Sequence, residues 1–278
     1  MKRIALFRYH NKPELCKNRL DLFWSFNPNI KVYGLYGGKE EEFFNYQKIF
    51  KEYFKDNYCI RNKSNIWKWK NGDLAIRQWY KDFGHTLDFD MLHILEWDLL
   101  ILDSLETLYK NIPKEGIGIT GLVPIKKIEK RWFWTRNEDQ KAEWVELKNY
   151  VLENHGFSGP YMGSVAPGIC IPRAFLENYS RVSVPDLCND ELRMTLFAQA
   201  LGFKLYDTGF FKKWFSKKEW KNFNCNEQSI TEQNIMKQIQ KTDGRRVFHP
   251  YREWIDIEKI RNTLQTKQYD SNILQNDK

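Results

Sequence analysis

The 278-residue chain is poor in the residues that staple or punctuate small folds, with only 5 Cys, 9 Pro and 15 Gly. The cysteines (16, 59, 170, 188 and 225) are scattered, odd in number and without CxxC spacing. That excludes a disulfide framework or a structural zinc cage and fits free thiols in a reducing cytoplasm. No apolar run approaches the roughly 18 residues that a membrane span requires. The opening Met1-Lys2-Arg3-Ile4-Ala5-Leu6-Phe7-Arg8 is too short in its apolar part for a signal peptide and reads as a strand. No Pro/Gly/Ser linker, internal repeat or low-complexity block divides the chain. These absences give a cytoplasmic protein with one large core.

What the chain has in quantity is charge (29%) and aromatic side chains (16%), with a formal net charge of +8. Disorder is excluded by the aromatics. The positive excess favours polyanionic partners: nucleic acid, anionic lipid or a phosphorylated ligand. It does not choose among them.

Apolar runs at 1–9, 30–36, 58–60, 92–102, 116–122, 161–171 and 203–206 read as strands, and helical spacing appears over 14–26, 73–81, 105–110 and 190–201. Strand alternating with helix predicts parallel βαβ units, hence an α/β fold with a mostly parallel, Rossmann-like sheet flanked by helices. We expect a single domain over 1–264, with residues 1–125 forming one half and 126–264 a more irregular second half. A polar tail follows over 265–278.

Chemistry concentrates at Met91-Leu92-His93-Ile94-Leu95-Glu96-Trp97-Asp98. Residues i and i+2 of a strand share a face, so Glu96 and Asp98 are expected to project together. They would do so from the carboxyl end of the strand, where open α/β sheets bind ligands. Two carboxylates there suit a hard divalent cation, which can hold a diphosphate. Trp97, on the opposite face, reads as packing. Asp88-Phe89-Asp90 has the same acidic spacing but precedes the strand. Glu96 as a turn residue and Asp98 as a cap is the bland alternative.

From these residues onward the chain resembles a GT-A nucleotide-sugar glycosyltransferase of the family-2 type, through weak motifs in the right order over roughly residues 1–250. Phe7-Arg8-Tyr9-His10-Asn11 occupies the place of the first nucleotide loop. Gly72-Asp73-Leu74-Ala75-Ile76-Arg77-Gln78 resembles the family's Gly-led helix, and Glu96-Trp97-Asp98 its DxD, with Glu in first position. The Gly163–Phe175 segment looks like its Gly-rich run into an Arg-led helix. Asp190-Glu191 ahead of Gly202-Phe203-Lys204-Leu205 is similar to the helix that carries the acidic base, and Val247-Phe248-His249-Pro250 to its late His element. No QxxRW motif appears, which argues against polymer synthesis.

The resemblance implies a donor-binding half over 1–125 and an acceptor and catalytic half over 126–264. It implies Mn²⁺ or Mg²⁺ bound by Asp98 and His249, with Glu96 reaching the metal through water or contacting the ribose. Arg8, Tyr9, Asp73 and Arg77 would line the nucleotide pocket, Tyr9 by stacking on the base and Asp73 by accepting from its imide. Arg245 and Arg246 would pair with phosphate oxygens. Glu191, or Asp190 beside it, would be the general base of an inverting transfer. The implied partners are a nucleoside-diphosphate sugar and a glycan or lipid-linked saccharide acceptor in surface-glycan assembly, with no nucleic acid. Aromatics of Arg131–Arg136 would cover the acceptor. The Lys, Phe and Trp of 210–221 suit peripheral contact with the inner face of a membrane, or else a solvated face over a packed stripe. Two other classes stay in view: a basic nucleic-acid-binding protein, suggested by Ile66-Trp67-Lys68-Trp69-Lys70, and a nucleotidyltransferase on a related scaffold.

Overall fold

The computed structural model describes residues 1–226 and 228–265. The polar tail expected over 265–278 lies, apart from Gln265, outside the described residues. The first half runs β1 (Arg3–Tyr9), α1 (Pro13–Phe26), β2 (Lys31–Tyr36), α2 (Phe43–Ile49), β3 (Asn57–Cys59), α3 (Asn65–Lys70), α4 (Gly72–Asp82), β4 (Met91–Glu96), β5 (Leu100–Ile101), α5 (Leu105–Leu108) and β6 (Ile117–Pro124). The second half follows with α6 (Phe133–Arg136), α7 (Glu138–His155), β7 (Met162–Pro172), α8 (Arg173–Arg181), α9 (Asp190–Ala200), β8 (Leu205–Asp207), α10 (Lys217–Trp220), α11 (Glu232–Ile239) and β9 (Val247–Phe248).

Seven strands form one sheet in the order β3-β2-β1-β4-β7-β6-β8. The ladders among β3, β2, β1 and β4 are parallel, β7 runs against its two neighbours, and β6–β8 is parallel again. The expected α/β sheet, mostly parallel and flanked by helices, is the one observed. Alternation along β1 sorts its side chains between two cores. Ile4 and Leu6 pack with Ile76 and Trp79 of α4, Tyr179 of α8 and Phe197 of α9. Ala5, Phe7 and Tyr9 pack with Leu20 and Phe23 of α1, with Tyr46 of α2 and with Phe50 just after it. Both sheet faces are covered, which is why β1 and β4 are almost wholly buried.

Local signals set the helix ends. Pro13 lies in the first turn of α1 and Ser64 caps α3 by accepting from the Trp67 amide at 3.1 Å. Gly156 ends α7 in the left-handed region at φ +68°.

One expectation is corrected. The apolar run over 92–102 is two strands, because a turn closed by Leu99 N–H to the Glu96 carbonyl (2.9 Å) interrupts it. β5 leaves the main sheet and pairs antiparallel with β9, Leu100 opposite Phe248 and Ile101 opposite Val247. This small ladder packs into a third core with Ile235, Ile239, Tyr251 and Ile255. Continuing its register places residue 249 opposite residue 99, and the Tyr251 amide donates to the Asp98 carbonyl at 2.8 Å.

A buried ion pair ties α4 to α9. Arg193, fully buried, donates to Asp73 Oδ2 from Nε (2.9 Å) and to Asp73 Oδ1 from Nη2 (2.5 Å), and also binds Asn71 Oδ1 and the carbonyls of Leu187 and Cys188. Removing one partner of such a pair strands the other charge in the interior. Arg193→Ala is expected to cost about 3–5 kcal/mol of stability, read from urea unfolding. A loss below about 1 kcal/mol would show that the pair does not clamp these helices.

Candidate active site

The alternation that buries Ile4 and Leu6 carries Arg8 to the same face of β1, and the same rule on β4 sends Glu96 to the face of Leu92 and Ile94. Arg8 and Glu96 are register partners across the parallel ladder. The Arg8 Nη1–Glu96 Oε1 distance is 3.0 Å, and Asp190 Oδ2, in the first turn of α9, lies 3.8 Å from the same Nη1. Gly72 makes this approach possible, since a Cβ added there would run into both the Arg8 guanidinium and the Asp190 carboxylate.

Asp98 follows in the turn. It is 5% exposed, with Arg252 Nε 3.0 Å from Oδ2 and His249 Nε2 3.4 Å from Oδ1. His249 Nε2 is also 3.7 Å from Glu96 Oε2. The other ring nitrogen, Nδ1, is 2.6 Å from the Asn224 carbonyl oxygen and donates to it. That contact makes Nδ1 the donor and turns Nε2 toward the two carboxylates, the usual way a protein orients a histidine that serves a metal. One ligand atom from each of Glu96, Asp98 and His249 lies within 4.8 Å of the others. Burial opposes ionisation of Asp98, but His249 and Arg252 outweigh it and bring its pKa down to about 2. Burial likewise opposes charging of His249, and there too the carboxylates win and raise its pKa above the ordinary value.

The acid pair behaves oppositely. Burial raises Asp190 to about 7, with Arg8 pulling it down and the Asp73 charge adding to the rise. Burial and the neighbouring Asp190 raise Glu191 to about 8. Glu191 is held by three donors: Trp134 Nε1 at 2.9 Å, the Ala166 amide at 3.2 Å and Asn189 Nδ2 at 3.4 Å. Among the described residues the Asp190 carboxylate accepts no hydrogen bond. The two acids share a narrow cleft with Arg8, Ser164, Ala166 and Met194. A groove of about 760 Å³ between α7 and Pro185 and Leu187 touches none of these groups.

The structure thus gathers Arg8, Glu96, Asp98, Asp190, Glu191 and His249, and it engages five other expected residues in contacts of their own: Tyr9, Asp73, Arg77, Arg245 and Arg246. Tyr9 is 2% exposed, ringed by Tyr36, Tyr46, Phe50 and Phe54, so neither face is open to a base. Its place on the Phe7 face of β1 was the signal for this. Asp73 has its oxygens occupied by Arg193 and by the Tyr179 hydroxyl at 2.6 Å, leaving nothing for an imide. Arg77 donates to the carbonyls of Tyr179, Ser180 and Val182 at the end of α8. Arg245 binds Glu219 and the Phe210 carbonyl, and Arg246 binds the carbonyls of Lys241, Gly244 and Arg245. The arginine at the cluster is Arg252, which sequence reasoning missed along with Asn224. Trp97 packs as expected, its ring 5.5 Å from that of His10.

No family model matches the chain, and no curated protein matches it. Among solved structures it is similar to an active-site mutant of LgtC, described as a galactosyltransferase in a companion structure, at 13% identity and TM-score 0.46, covering 94% of this chain and 95% of that one. It is similar to the mannosyltransferase PcManGT from Pyrobaculum calidifontis, in complex with GDP-Man and Mn²⁺, at 12% identity and TM-score 0.40, covering 74% and 54%. A 4-diphosphocytidyl-2C-methyl-D-erythritol synthase is similar at 15% identity and TM-score 0.41, covering 74% and 88%.

The raised carboxyl pKa of Glu191 has a stability consequence with a definite sign. The folded state holds a proton that the unfolded state releases near pH 4, so this group's contribution weakens as pH rises from about 4 to about 8. Glu191→Gln is expected to flatten the pH dependence of Tm over that window, measured by thermal melts in a buffer series. An unchanged slope would place Glu191 in an ordinary solvated setting.

Proposed function

We propose that the protein is a metal-dependent glycosyltransferase. It takes a nucleoside-diphosphate sugar and passes the sugar, with inversion, to a hydroxyl of a glycan or lipid-linked saccharide in surface-glycan or glycoconjugate assembly. The observation that carries this reading is that the carboxyl ends of two adjacent central strands bring together two acid sets: Glu96 and Asp98 with His249, one ligand atom from each within 4.8 Å of the others, and beside them the partly buried pair Asp190 and Glu191. Perturbed acids of contrasting pKa side by side are a mark of chemistry more than of packing.

Asp98, Glu96 and His249 would hold Mn²⁺ or Mg²⁺. The donor set fits a hard cation: two carboxylates and an imidazole whose Nδ1 is engaged by the Asn224 carbonyl, which leaves Nε2 to face them. When bound, the cation neutralises the diphosphate of the leaving nucleotide. Arg8 keeps Glu96 in place and sets Asp190 beside it. Asp190 is the stronger candidate for the base, because its carboxylate is free of donors and lies on the Arg8 side of the cleft. Glu191, held by three donors, positions that cleft wall and remains the alternative base. A base that deprotonates the acceptor for direct attack on the anomeric carbon gives inversion. The cluster draws on both halves of the chain, with His249 and Arg252 completing what β4 begins. Among the described residues no helix is long and apolar enough to cross a membrane, and the five cysteines are free. A cytoplasmic setting agrees with the free thiols.

Thermal stabilisation by UDP, GDP, CMP and their sugar conjugates, each with and without Mn²⁺, tests the reading, since a ligand that binds the folded state raises Tm. Asp98→Asn is expected to lose the metal-dependent part of the shift. Asp190→Asn is expected to keep the shift and lose turnover by roughly 10²–10⁴-fold, the usual range for a general base. Wild-type donor and metal binding by Asp98→Asn would falsify the site. Release of pyrophosphate from a nucleoside triphosphate would select the nucleotidyltransferase instead.

A further inference from the structure

The chain has a formal net charge of +8, and two of its segments are dense in cations. Segments 126–136 and 212–221 carry ten exposed Lys and Arg side chains against a single exposed acid, Glu129. Glu219, the other acid there, is buried and paired with Arg245 at 2.6 Å. Among the described residues none of the ten cations forms an ion pair. The two segments lie side by side, clamped by Trp132 edge-on to Trp214 (5.4 Å) and by the Arg131 guanidinium over Phe215 (4.1 Å). Phe210 and Phe211 are buried and Trp214 Nε1 donates to the Gly121 carbonyl at 2.8 Å. The aromatics of 210–221 therefore turn inward, and its lysines face out.

Exposed apolar side chains sit beside this charge. Phe133 is 50% exposed, Trp69 67% and Ile66 75%. Phe133 and Trp69 flank Trp134, with ring centroids at 5.1 and 5.9 Å. Trp134 donates to Glu191, so the patch borders the acid pair. Cations flanking exposed Trp, Phe and Ile match the layered chemistry of a bilayer interface, phosphate outside and acyl chain beneath. A nucleic acid would reward the lysines and the rings, but Ile66 has no face on which a base can stack.

We infer that this surface docks the protein on an anionic phospholipid bilayer, with the acid-pair cleft at the membrane. The docking stands on surface chemistry alone. Its use, presenting a lipid-linked acceptor to Asp190, rests on the transferase reading.

The test is co-sedimentation with vesicles of phosphatidylcholine alone and of phosphatidylcholine mixed with phosphatidylglycerol, over a salt series. Binding is expected only to the anionic vesicles and to weaken with salt. Each of Lys126→Gln, Lys130→Gln, Lys213→Gln and Lys217→Gln is expected to lower partitioning roughly fivefold. Tm and Mn²⁺-dependent nucleotide binding in solution should stay unchanged in these variants, so failed docking is distinguishable from a failed transferase reading. Phe133→Ser with Trp69→Ser is expected to weaken binding that persists at high salt. Equal binding to neutral vesicles, indifference to the lysine substitutions, or tighter binding to single-stranded RNA than to anionic vesicles at the same salt would each overturn the inference.

Discussion

Five carboxylates, Asp73 and Asp98 buried and Glu96, Asp190 and Glu191 partly so, gather around the carboxyl ends of β1 and β4, and the site is organised by how their charge is met. Arg193 meets Asp73, Arg8 meets Glu96, and Arg252 with His249 meets Asp98. Asp190 shares Arg8 with Glu96 at the longer distance of 3.8 Å, Glu191 is met only by neutral donors, and burial pushes both acids up toward neutrality. An unpaired charge in a low-dielectric interior is too costly to keep, so such groups hold their protons.

The fold produces this arrangement through short connections. Alternation on two adjacent parallel strands aligns Arg8 with Glu96, and Gly72 lets α4 and α9 close over them. The turn after Glu96 then diverts the chain into the β5–β9 ladder. That ladder delivers His249 and Arg252, more than 150 residues later in the chain, to Asp98. Asn224 is fixed in turn by its amide, which donates to the His249 carbonyl at 2.8 Å, while its own carbonyl orients the imidazole. Backbone pairing, not side-chain packing alone, therefore sets which imidazole nitrogen faces Glu96 and Asp98.

The parallel core and the carboxylate pair were legible because both follow local periodicity: apolar runs alternating with helical spacing, and two acids at the end of the most apolar strand. The acids opening α9 were legible as a first helical turn. What periodicity hides is partnership. Asp73 looks like any acid at a helix start until Arg193, 120 residues away, takes it. Arg245 and Arg246 look as available as Arg252, and only the turn after β9 decides which one reaches the cluster. Tyr9 was misjudged although the strand rule contained the answer, since a residue two beyond Phe7 shares its buried face. Glu96 and Asp98 do converge, but through a turn and not through the continued pleat expected for them.

The central claim is that Glu96, Asp98 and His249 bind a divalent cation together, with His249 contributing Nε2. Pulsed electron paramagnetic resonance of the Mn²⁺-loaded protein, with uniformly ¹⁵N-labelled histidine, measures this directly. The account predicts one directly coordinated histidine nitrogen, whose coupling disappears in His249→Gln and whose signal is lost with the bound metal in Asp98→Asn. Bound Mn²⁺ without a coupled histidine nitrogen, or with a coupling that survives His249→Gln, would contradict it.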